Sequence, residues 1–370
     1  FFFPAFFWIF LEFIRSIGPL SFNWGTFAEP LVYIYPLLHW ASVFGALGLS
    51  FIVVLINIIL YKFKSFPLRK KFISIIFILL LFLFGNIMGI SYNKPILSIK
   101  VGVVQGNYDS FSKVYEKDIE EQLRIHKNLT LSLPNNLYLI IWPESVLFCP
   151  LNLYPSYIKK LKNLAKEKGS FLLMGALKYE KENIYNSAYL FSPYDEDYRT
   201  YSKVQLVPFV EELPFSFLFP NFIKNLVGGY KRGEGFFPFK TPLINIGTLI
   251  CFESLFSYTA YALIKNNADI LVVITNDGWF ESTPAVWQHR NLSLIRAVEN
   301  RVPIIQVANT GITFFADPYG KILLESKEGE RNVYYSDVYI DKKAFSLYRI
   351  WGDLFMLISF VIYLSIKILS

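Results

Sequence analysis

The stretch TPLINIGTLICFES (residues 241–254) decides the fold that the sequence predicts. Residues 241–250 are typical of a buried β-strand, and the residues after them, to about 266, are typical of a helix. Cys251 stands where the strand ends, so a sharp turn exposes its thiol at a sheet edge. A helix start there supplies N–H donors and a positive dipole end, which lower a thiol's pKa and stabilise an oxyanion. Cys251 is therefore a candidate nucleophile; the alternative is a buried structural cysteine.

Short apolar runs separated by polar helical stretches continue on both sides of this segment. Strands are predicted at 98–106, 137–144, 171–177, 186–192, 268–277, 302–309, 312–318 and 332–340, and helices at 113–131, 155–168 and 284–300. Strands that alternate with helices and are then followed by strand pairs indicate an α/β domain with layered sheets.

Glu144 ends the predicted strand LYLIIWPE (137–144). Open α/β sheets bind ligands at the carboxyl ends of their strands, and this carboxylate lies at such an end. Partial burial raises a carboxyl's pKa and suits it to general base catalysis. A loop residue in a salt bridge is the alternative.

Lys203 lies in the extended segment YRTYSKVQLVPFVEELP (198–214). A fixed ammonium stabilises negative charge that develops on a carbonyl oxygen. Glu211 follows eight residues later and is suited to hold that ammonium in place. A solvent-exposed lysine is the alternative.

The composition predicts membrane segments together with a folded aqueous domain. Mean hydropathy is +0.38, yet 18% of the residues are charged. Apolar segments run over about 1–17, 41–60, 72–90 and 354–370. A helix needs about 20 apolar residues to cross a bilayer, and the middle two segments are long enough. A buried core helix is the alternative for each.

The loop YKFKSFPLRKK (61–71) predicts the orientation in the membrane. Its basic residues favour the cytoplasm. The chain from about residue 92 to residue 348 is therefore expected outside the cytoplasm, and the last helix is expected to cross the membrane back to the cytoplasmic side. The predicted domains are a membrane domain at 1–96, an extracytoplasmic domain at 97–345 and a C-terminal transmembrane helix at 346–370.

Charge and metal-ligand spacing exclude two other classes of function. The net charge is +7, but part of the excess lies in the basic loop, so topology explains it better than nucleic-acid binding does. Cys149 and Cys251 lie far apart, and the histidines at 39, 126 and 289 are scattered. Neither a disulfide framework nor a metal site is predicted, and no cofactor is expected.

The motifs WPE (142–144), SK (202–203) and CFE (251–253), in this order, resemble the nitrilase superfamily with its Glu-Lys-Cys triad. VVQGN (103–107), NDGWF (276–280) and QHRNLSLIRAVENRVPIIQVANTGIT (288–313) agree with it. The resemblance covers about residues 97–340. It implies a four-layer αββα sandwich in which Glu144, Lys203 and Cys251 form the triad.

A nitrilase-type domain inserted before the last of several membrane helices resembles, more narrowly, the apolipoprotein N-acyltransferase family. KVQLVPFVEELP (203–214), LYRIWGDLF (347–355) and FFWIFLEFIRS (6–16) with NWGTFAEP (23–30) also resemble that family. Family members carry more N-terminal helices, so we expect further helices before Phe1. The family also usually has Tyr where this chain has Phe252.

The family resemblance implies a reaction and a location. Glu144 takes the proton of Cys251, the thiol accepts an acyl chain from a phospholipid as a thioester, and the α-amine of a lipoprotein's diacylglyceryl-cysteine then receives it. Lys203 stabilises the oxyanion and Glu211 orients Lys203. The enzyme is expected in the bacterial inner (plasma) membrane as a multi-pass protein with a periplasmic catalytic domain.

Four further residues are predicted to line the substrate pocket: Phe252, Glu253, Trp142 and Trp279. Core packing is the alternative for the two tryptophans. Two other functions stay open at this point. One is a membrane-tethered nitrilase-type amidase that hydrolyses small amides, and the other is a catalytically inactive lipid-binding scaffold.

Overall fold

The computed structural model describes residues 2–90, 97–108, 116–224, 227, 229–280, 283–341 and 344–369. The helices are α1 Phe3–Arg15, α2 Tyr35–Leu38, α3 Ala41–Lys62, α4 Leu68–Met88, α5 Glu116–Ser132, α6 Pro155–Lys168, α7 Asn221–Lys224, α8 Ser257–Lys265, α9 Pro284–Asn300, α10 Tyr348–Trp351 and α11 Leu354–Leu369. The strands are β1 Leu97–Gln105, β2 Leu139–Ile141, β3 Leu147–Pro150, β4 Phe171–Glu180, β5 Asn183–Phe191, β6 Tyr198–Ser202, β7 Phe239–Lys240, β8 Asn245–Ile250, β9 Ile270–Thr275, β10 Ile304–Ala308, β11 Phe314–Ala316, β12 Ile322–Glu325 and β13 Asn332–Ile340.

Two mixed β-sheets form the middle of the chain. The first has the strand order β13-β1-β2-β4-β5-β6, with β3 beside β4, and the second has the order β12-β11-β10-β9-β8-β7. β1, β2 and β4 are parallel to one another, as are β8, β9 and β10. The flanking pairs are antiparallel. The carboxyl ends of both parallel sets carry the site described below.

The layers follow from which side chains share a core. Ile99 and Leu139 of the first sheet pack with Ile246 and Ile305 of the second, so the two sheets face each other. Outside the first sheet lie α5 and α6, and outside the second lie α8 and α9. Apolar side chains on both faces of the parallel strands explain their continuous hydrophobic runs. The arrangement is the predicted four-layer αββα sandwich.

Helices at the ends of the chain pack on the outer face of this sandwich. Leu49 and Ile52 of α3 and Leu81 of α4 share one buried core with Ile295 and Val298 of α9. Within the described residues, two segments are long and apolar enough to cross a membrane, Ala41–Ser65 and Leu68–Met88. The helices α1 and α11 are shorter, with 13 and 16 residues.

A break in α3 joins it to the sandwich. Gly45 has a φ of +68°, so the regular helical hydrogen bonding is interrupted there. The freed N–H of Ala46 donates to Oε1 of Glu299 at 2.8 Å. Glu299 is fully buried on α9 and forms an ion pair with Arg296 at 3.0 Å. The break therefore fixes an apolar helix to a helix of the sandwich.

The predicted elements mostly match the observed ones. Helix 155–168 and strand 332–340 have the predicted bounds, and the predicted helix 113–131 is seen from Glu116, its first residues lying outside the described part of the chain. Strands β3, β6, β7 and β12 were not predicted. They are short or polar, so a period-two pattern has little room to appear, and they form because neighbouring strands offer free hydrogen-bonding edges.

Candidate active site

The turn after β8 holds Cys251 in a backbone conformation that L-residues rarely adopt, with φ at +51°. Residues Cys251–Leu255 form a short 3₁₀ helix, and α8 begins only at Ser257. The predicted helix start at Cys251 is therefore a 3₁₀ turn, and the α-helix begins six residues later. The reason is local: the Glu253 carboxylate accepts the N–H of Ile250 at 2.8 Å and closes a tight turn.

The environment of the Cys251 thiol differs from the expected one. Desolvation by the surrounding protein and the nearby Glu144 carboxylate raise the pKa of the thiol well above its usual range, against the opposing effect of Lys203. The predicted lowering of the thiol's pKa is wrong, since desolvation and the Glu144 carboxylate outweigh every effect that lowers it. The resting thiol is neutral, and its use as a nucleophile requires a base.

Glu144 follows β2 and is buried, with 7% of its surface exposed. Its Oε1 accepts a hydrogen bond from Asn186 Nδ2 at 2.8 Å, and its Oε2 accepts the backbone N–H of Asn276 at 3.0 Å. Gly175 of β4 lies against it, because a Cβ at Gly175 would come within 2.6 Å of Glu144 Cα. The neighbouring strand can therefore approach the carboxylate closely only with glycine at this position.

Lys203 follows β6, and only 1% of its surface is exposed. Its Nζ lies 3.0 Å from Glu211 and 3.7 Å from Glu144 Oε1. Burial alone lowers a lysine's pKa, but the carboxylates of Glu211 and Glu144 outweigh it and hold the pKa of Lys203 above its usual value. Lys203 is therefore a buried, permanently charged ammonium between two carboxylates.

Glu211 holds this ammonium from a turn in the segment after β6. Its Oε2 accepts the N–H of Val207 at 2.9 Å, and its Oε1 accepts Asn186 Nδ2 at 3.0 Å. The Asn186 amide therefore bridges the two carboxylates, Glu144 and Glu211. Asn186 belongs to no recognisable motif in the sequence; it is one of two adjacent buried polar residues of β5, with Ser187.

Glu253 is predicted to line the substrate pocket, and the structure places it in the protein interior. It is fully buried, and protein donors occupy both of its oxygens. Oε1 accepts the N–H groups of Val204 and Gln205, and Tyr201 donates its hydroxyl to the carboxylate at 2.9 Å. Burial raises the pKa of Glu253 to about 7. Glu253 ties the segment that follows Lys203 to the turn that carries the thiol.

The other predicted pocket residues lie in different surroundings. Phe252 is buried, and its ring lies 5.0 Å from the ring of Phe256. Trp142 is fully buried in the core between the first sheet and α5, where its indole donates to Thr130 at 2.8 Å. This placement agrees with the alternative prediction for Trp142, core packing. Trp279 is 61% exposed just after β9, and its place in a pocket wall stays a prediction.

A second buried polar group, which no sequence motif indicates, lies beside the Cys251 backbone. Nδ1 of His289 lies 2.8 Å from Asp277 Oδ1, and its Nε2 lies 2.8 Å from Ser254 Oγ. All three side chains are buried. A single histidine on a helix, 38 positions from the cysteine, gives no motif in sequence.

The remaining cysteine and the acidic groups give no sign of a metal. Cys149 is a free, buried thiol, and burial raises its pKa to about 11. Cys251 is also free, so the two do not form a disulfide. In the part of the chain that the structure describes, no three His, Cys, Asp or Glu side chains form a group suited to a metal ion.

Known families match both parts of the chain. The carbon-nitrogen hydrolase family matches residues 100–343, and the apolipoprotein N-acyltransferase N-terminal domain matches residues 1–59. Solved structures of this fold include the CN-hydrolase superfamily protein XC1258 from Xanthomonas campestris, with a TM-score of 0.51 at 16% identity over 66% of this chain and 91% of that one. A carbon-nitrogen hydrolase from Helicobacter pylori has a TM-score of 0.51 at 17% identity over 70% of this chain and 94% of that one. At these identities the structures support the fold alone.

Sequence relatives carry the family assignment. The apolipoprotein N-acyltransferase of Geobacter metallireducens is 31% identical over 94% of this chain and 70% of its own length. The apolipoprotein N-acyltransferase of Rickettsia prowazekii is 29% identical over 98% of this chain and 75% of its own length. The resemblance predicted from WPE, SK and CFE is confirmed. This chain belongs to the apolipoprotein N-acyltransferase family, a family of membrane enzymes whose catalytic domain has the carbon-nitrogen hydrolase fold.

Proposed function

We propose that this chain transfers a fatty acyl chain from a phospholipid, through a thioester on Cys251, to the N-terminal α-amine of a lipoprotein's diacylglyceryl-cysteine. The observation that carries the proposal is the buried ammonium of Lys203 between Glu144 and Glu211, beside the strained turn of Cys251. A base, a cation and a neutral thiol are the groups that acyl transfer through a thioester needs.

In the first half-reaction Glu144 takes the proton of Cys251 as the sulfur attacks the ester carbonyl of the phospholipid. The raised pKa of the thiol favours this order, because proton removal and attack occur together rather than from a standing thiolate. The C–O bond of the ester then breaks. The leaving alkoxide takes the proton from Glu144, and a lysophospholipid departs while the acyl chain remains on sulfur.

The tetrahedral intermediate carries a negative oxygen that needs a fixed positive partner. Lys203 supplies it, since its ammonium stays charged within its pair of carboxylates and does not have to reorganise. Glu211 keeps the ammonium in place through its contact at 3.0 Å. Glu211 is therefore a positioning residue in this mechanism.

In the second half-reaction the α-amine of the acceptor attacks the thioester. Glu144 takes one proton from the amine, the C–S bond breaks, and that proton returns to the sulfur of Cys251. The products are an amide and the free thiol, so the cycle closes without a cofactor. Water must be kept away while the thioester waits, because hydrolysis would release the fatty acid instead.

Membrane anchoring follows from the substrates. Each buried CH₂ stabilises an acyl chain in lipid by about 0.8 kcal/mol, so withdrawing a long chain into water is prohibitive. Helix α4 exposes a long apolar surface, with Leu81 and Gly85 as its buried residues. We infer that α3 and α4 span the inner (plasma) membrane within a multi-pass helix bundle, with the basic loop 61–71 in the cytoplasm and the catalytic domain outside.

Two alternatives receive less support. A membrane-tethered amidase would not need an N-terminal region like that of apolipoprotein N-acyltransferases, which matches residues 1–59 here. An inactive lipid-binding scaffold would have no use for a buried charged cluster, which is costly to keep in a protein interior. The transferase accounts for both features.

The test uses the full chain, purified in detergent micelles and incubated with a dipalmitoyl phospholipid. We expect mass spectrometry to find a palmitoyl adduct on the peptide that carries Cys251. The adduct should disappear in Cys251→Ala and persist in the matched control Cys149→Ala. Palmitoylation of a diacylglyceryl-lipopeptide by the Cys251→Ala variant would overturn the proposal.

A further inference from the structure

Next to Cys251 lies a network of buried polar side chains that the mechanism above does not use. Thr275 Oγ1 donates to Asp277 Oδ1 at 2.8 Å, and the same oxygen lies 2.8 Å from His289 Nδ1. The other imidazole nitrogen, Nε2, lies 2.8 Å from Ser254 Oγ and 3.3 Å from the carbonyl oxygen of Cys251. Cys251 and Thr275 directly follow Ile250 and Ile274, which pair on the neighbouring parallel strands β8 and β9, so this network lies beside the nucleophile.

One placement of the hydrogens satisfies every contact in this network. Ser254 Oγ donates to the Cys251 carbonyl oxygen at 2.9 Å, so its one hydrogen is already used. With the Ser254 hydrogen placed on that carbonyl, Nε2 of His289 donates to Ser254 Oγ, and Nδ1 donates to the carboxylate of Asp277. An imidazole that donates from both nitrogens is an imidazolium. Burial opposes that charge, but the Asp277 carboxylate outweighs it and raises the pKa of His289.

We propose that His289 and Asp277 are positioning residues that hold the Cys251 turn in its strained conformation and free the Thr275 hydroxyl to stabilise the thiolate as it forms. The proposal rests on Cys251 being the nucleophile. In the resting state Thr275 donates to Asp277. When Glu144 takes the thiol proton, the hydroxyl rotates and donates to sulfur, while His289 keeps Asp277 Oδ1 satisfied. No covalent bond other than S–H breaks in this step.

The cost of the arrangement supports a role in function. A non-glycine residue in the left-handed region is strained by about 1–2 kcal/mol, and a buried ion pair is rarely better for stability than an apolar replacement. Gly311 is fitted to the carboxylate, because a Cβ there would come within 2.3 Å of Asp277 Oδ2. The charged groups that face His289 and the thiol are Asp277, Glu144 and Lys203.

The test measures how fast iodoacetamide alkylates Cys251 across the pH range, which needs no lipid and no acyl transfer. Mass spectrometry of the Cys251 peptide separates it from Cys149. In His289→Leu the unpaired charge of Asp277 should raise the midpoint of the pH profile and slow alkylation at pH 7 about tenfold, the change in thiolate fraction per pKa unit. Adding Asp277→Asn to that variant should restore most of the rate.

Two further variants separate this role from general destabilisation. Thr275→Val removes only the hydroxyl and should raise the midpoint, whereas Thr275→Ser should leave it unchanged. The matched control is Asn300→Ala, a fully buried polar side chain on the same helix, about 16 Å along the axis from His289. It should lower the melting temperature and leave alkylation unchanged.

The proposal is overturned if the midpoint stays in place in both His289→Leu and Thr275→Val, or if the Asp277→Asn double variant is no faster than His289→Leu alone. If His289→Leu does not fold, the midpoint measured for Thr275→Val decides the outcome. Because alkylation is independent of lipid, a failed acyl-transfer assay with normal alkylation shifts would count against the proposed function and leave this inference standing.

Discussion

The ammonium of Lys203 lies 3.0 Å from the carboxylate of Glu211, and both side chains are buried. Such a pair is costly to form and more costly to break, because removing one partner leaves a buried charge without compensation. Because Lys203 also lies beside Glu144, the proposed base, the buried charge is placed where the proposed reaction needs a cation. The pair keeps a cation in place where the acyl carbonyl oxygen is expected to gain charge.

Glu211→Gln tests the pair directly. The amide keeps the shape but not the charge, so Lys203 loses its main partner and is held less firmly. We expect acylation of Cys251 to fall about 10²-fold with little change in apparent phospholipid affinity, the size of effect typical of losing an oxyanion contact. The measurement is the rate of adduct formation against phospholipid concentration. Glu212→Gln, next in sequence and paired with Arg232 at the surface, is the control and should acylate normally.

Asn186→Leu tests the bridge between the two carboxylates. Without the amide, Glu144 and Glu211 each lose a buried hydrogen bond, which costs about 1–3 kcal/mol. The expected result is a lower melting temperature together with slower acylation. The control is Asn183→Leu at the start of the same strand, which should change the melting temperature and the acylation rate little. Normal acylation in Asn186→Leu would show that the bridge has no part in catalysis.

The buried carboxyl of Glu253 predicts how stability depends on pH. Its pKa is about 7 in the folded protein against 4.5 as the ordinary value, so the folded state binds the proton more tightly. The stability this contributes is complete below pH 4.5 and is lost as the pH rises through about 7. Glu299, whose burial also raises its pKa to about 7, acts in the same direction.

We therefore expect the melting temperature to fall between pH 5 and pH 8. Glu253→Gln should make that fall shallower while lowering stability at every pH, since an amide cannot accept all the donors that the carboxylate accepts. Glu180→Gln, an exposed carboxyl, is the control and should leave the slope unchanged. An unchanged slope in Glu253→Gln would contradict the prediction.

Gly45→Ala tests the junction between α3 and the sandwich. A Cβ at this position would lie 2.4 Å from the Tyr348 ring, and φ is +68°. Gly169→Ala separates the two effects, because φ there is +61° and nothing lies within 4 Å of the added Cβ. Backbone strain alone costs about 1–2 kcal/mol in Gly169→Ala, and Gly45→Ala should cost clearly more. Equal losses in melting temperature would show that the junction tolerates the methyl group.

The sequence by itself determined the order of strands and helices, the long apolar helices and the family. Periodicity and apolar run length depend on neighbouring residues, so they can be read locally; strand 332–340 and helix 155–168 have the predicted bounds for that reason. Glu144, Lys203 and Cys251 are predicted as the triad because short motifs surround each of them, in a characteristic order.

Only the tertiary structure decided which polar side chains meet. Asn186, Asp277 and His289 lie on separate elements, and their partners are set by how two sheets pack, which no local pattern encodes. The same packing buries Glu253, whose carboxylate accepts backbone N–H groups next to Lys203 and next to Cys251. The contact next to Cys251 makes the helix start expected there a 3₁₀ turn. Burial also reversed the expected pKa shift of the thiol, since desolvation depends on every layer that covers it.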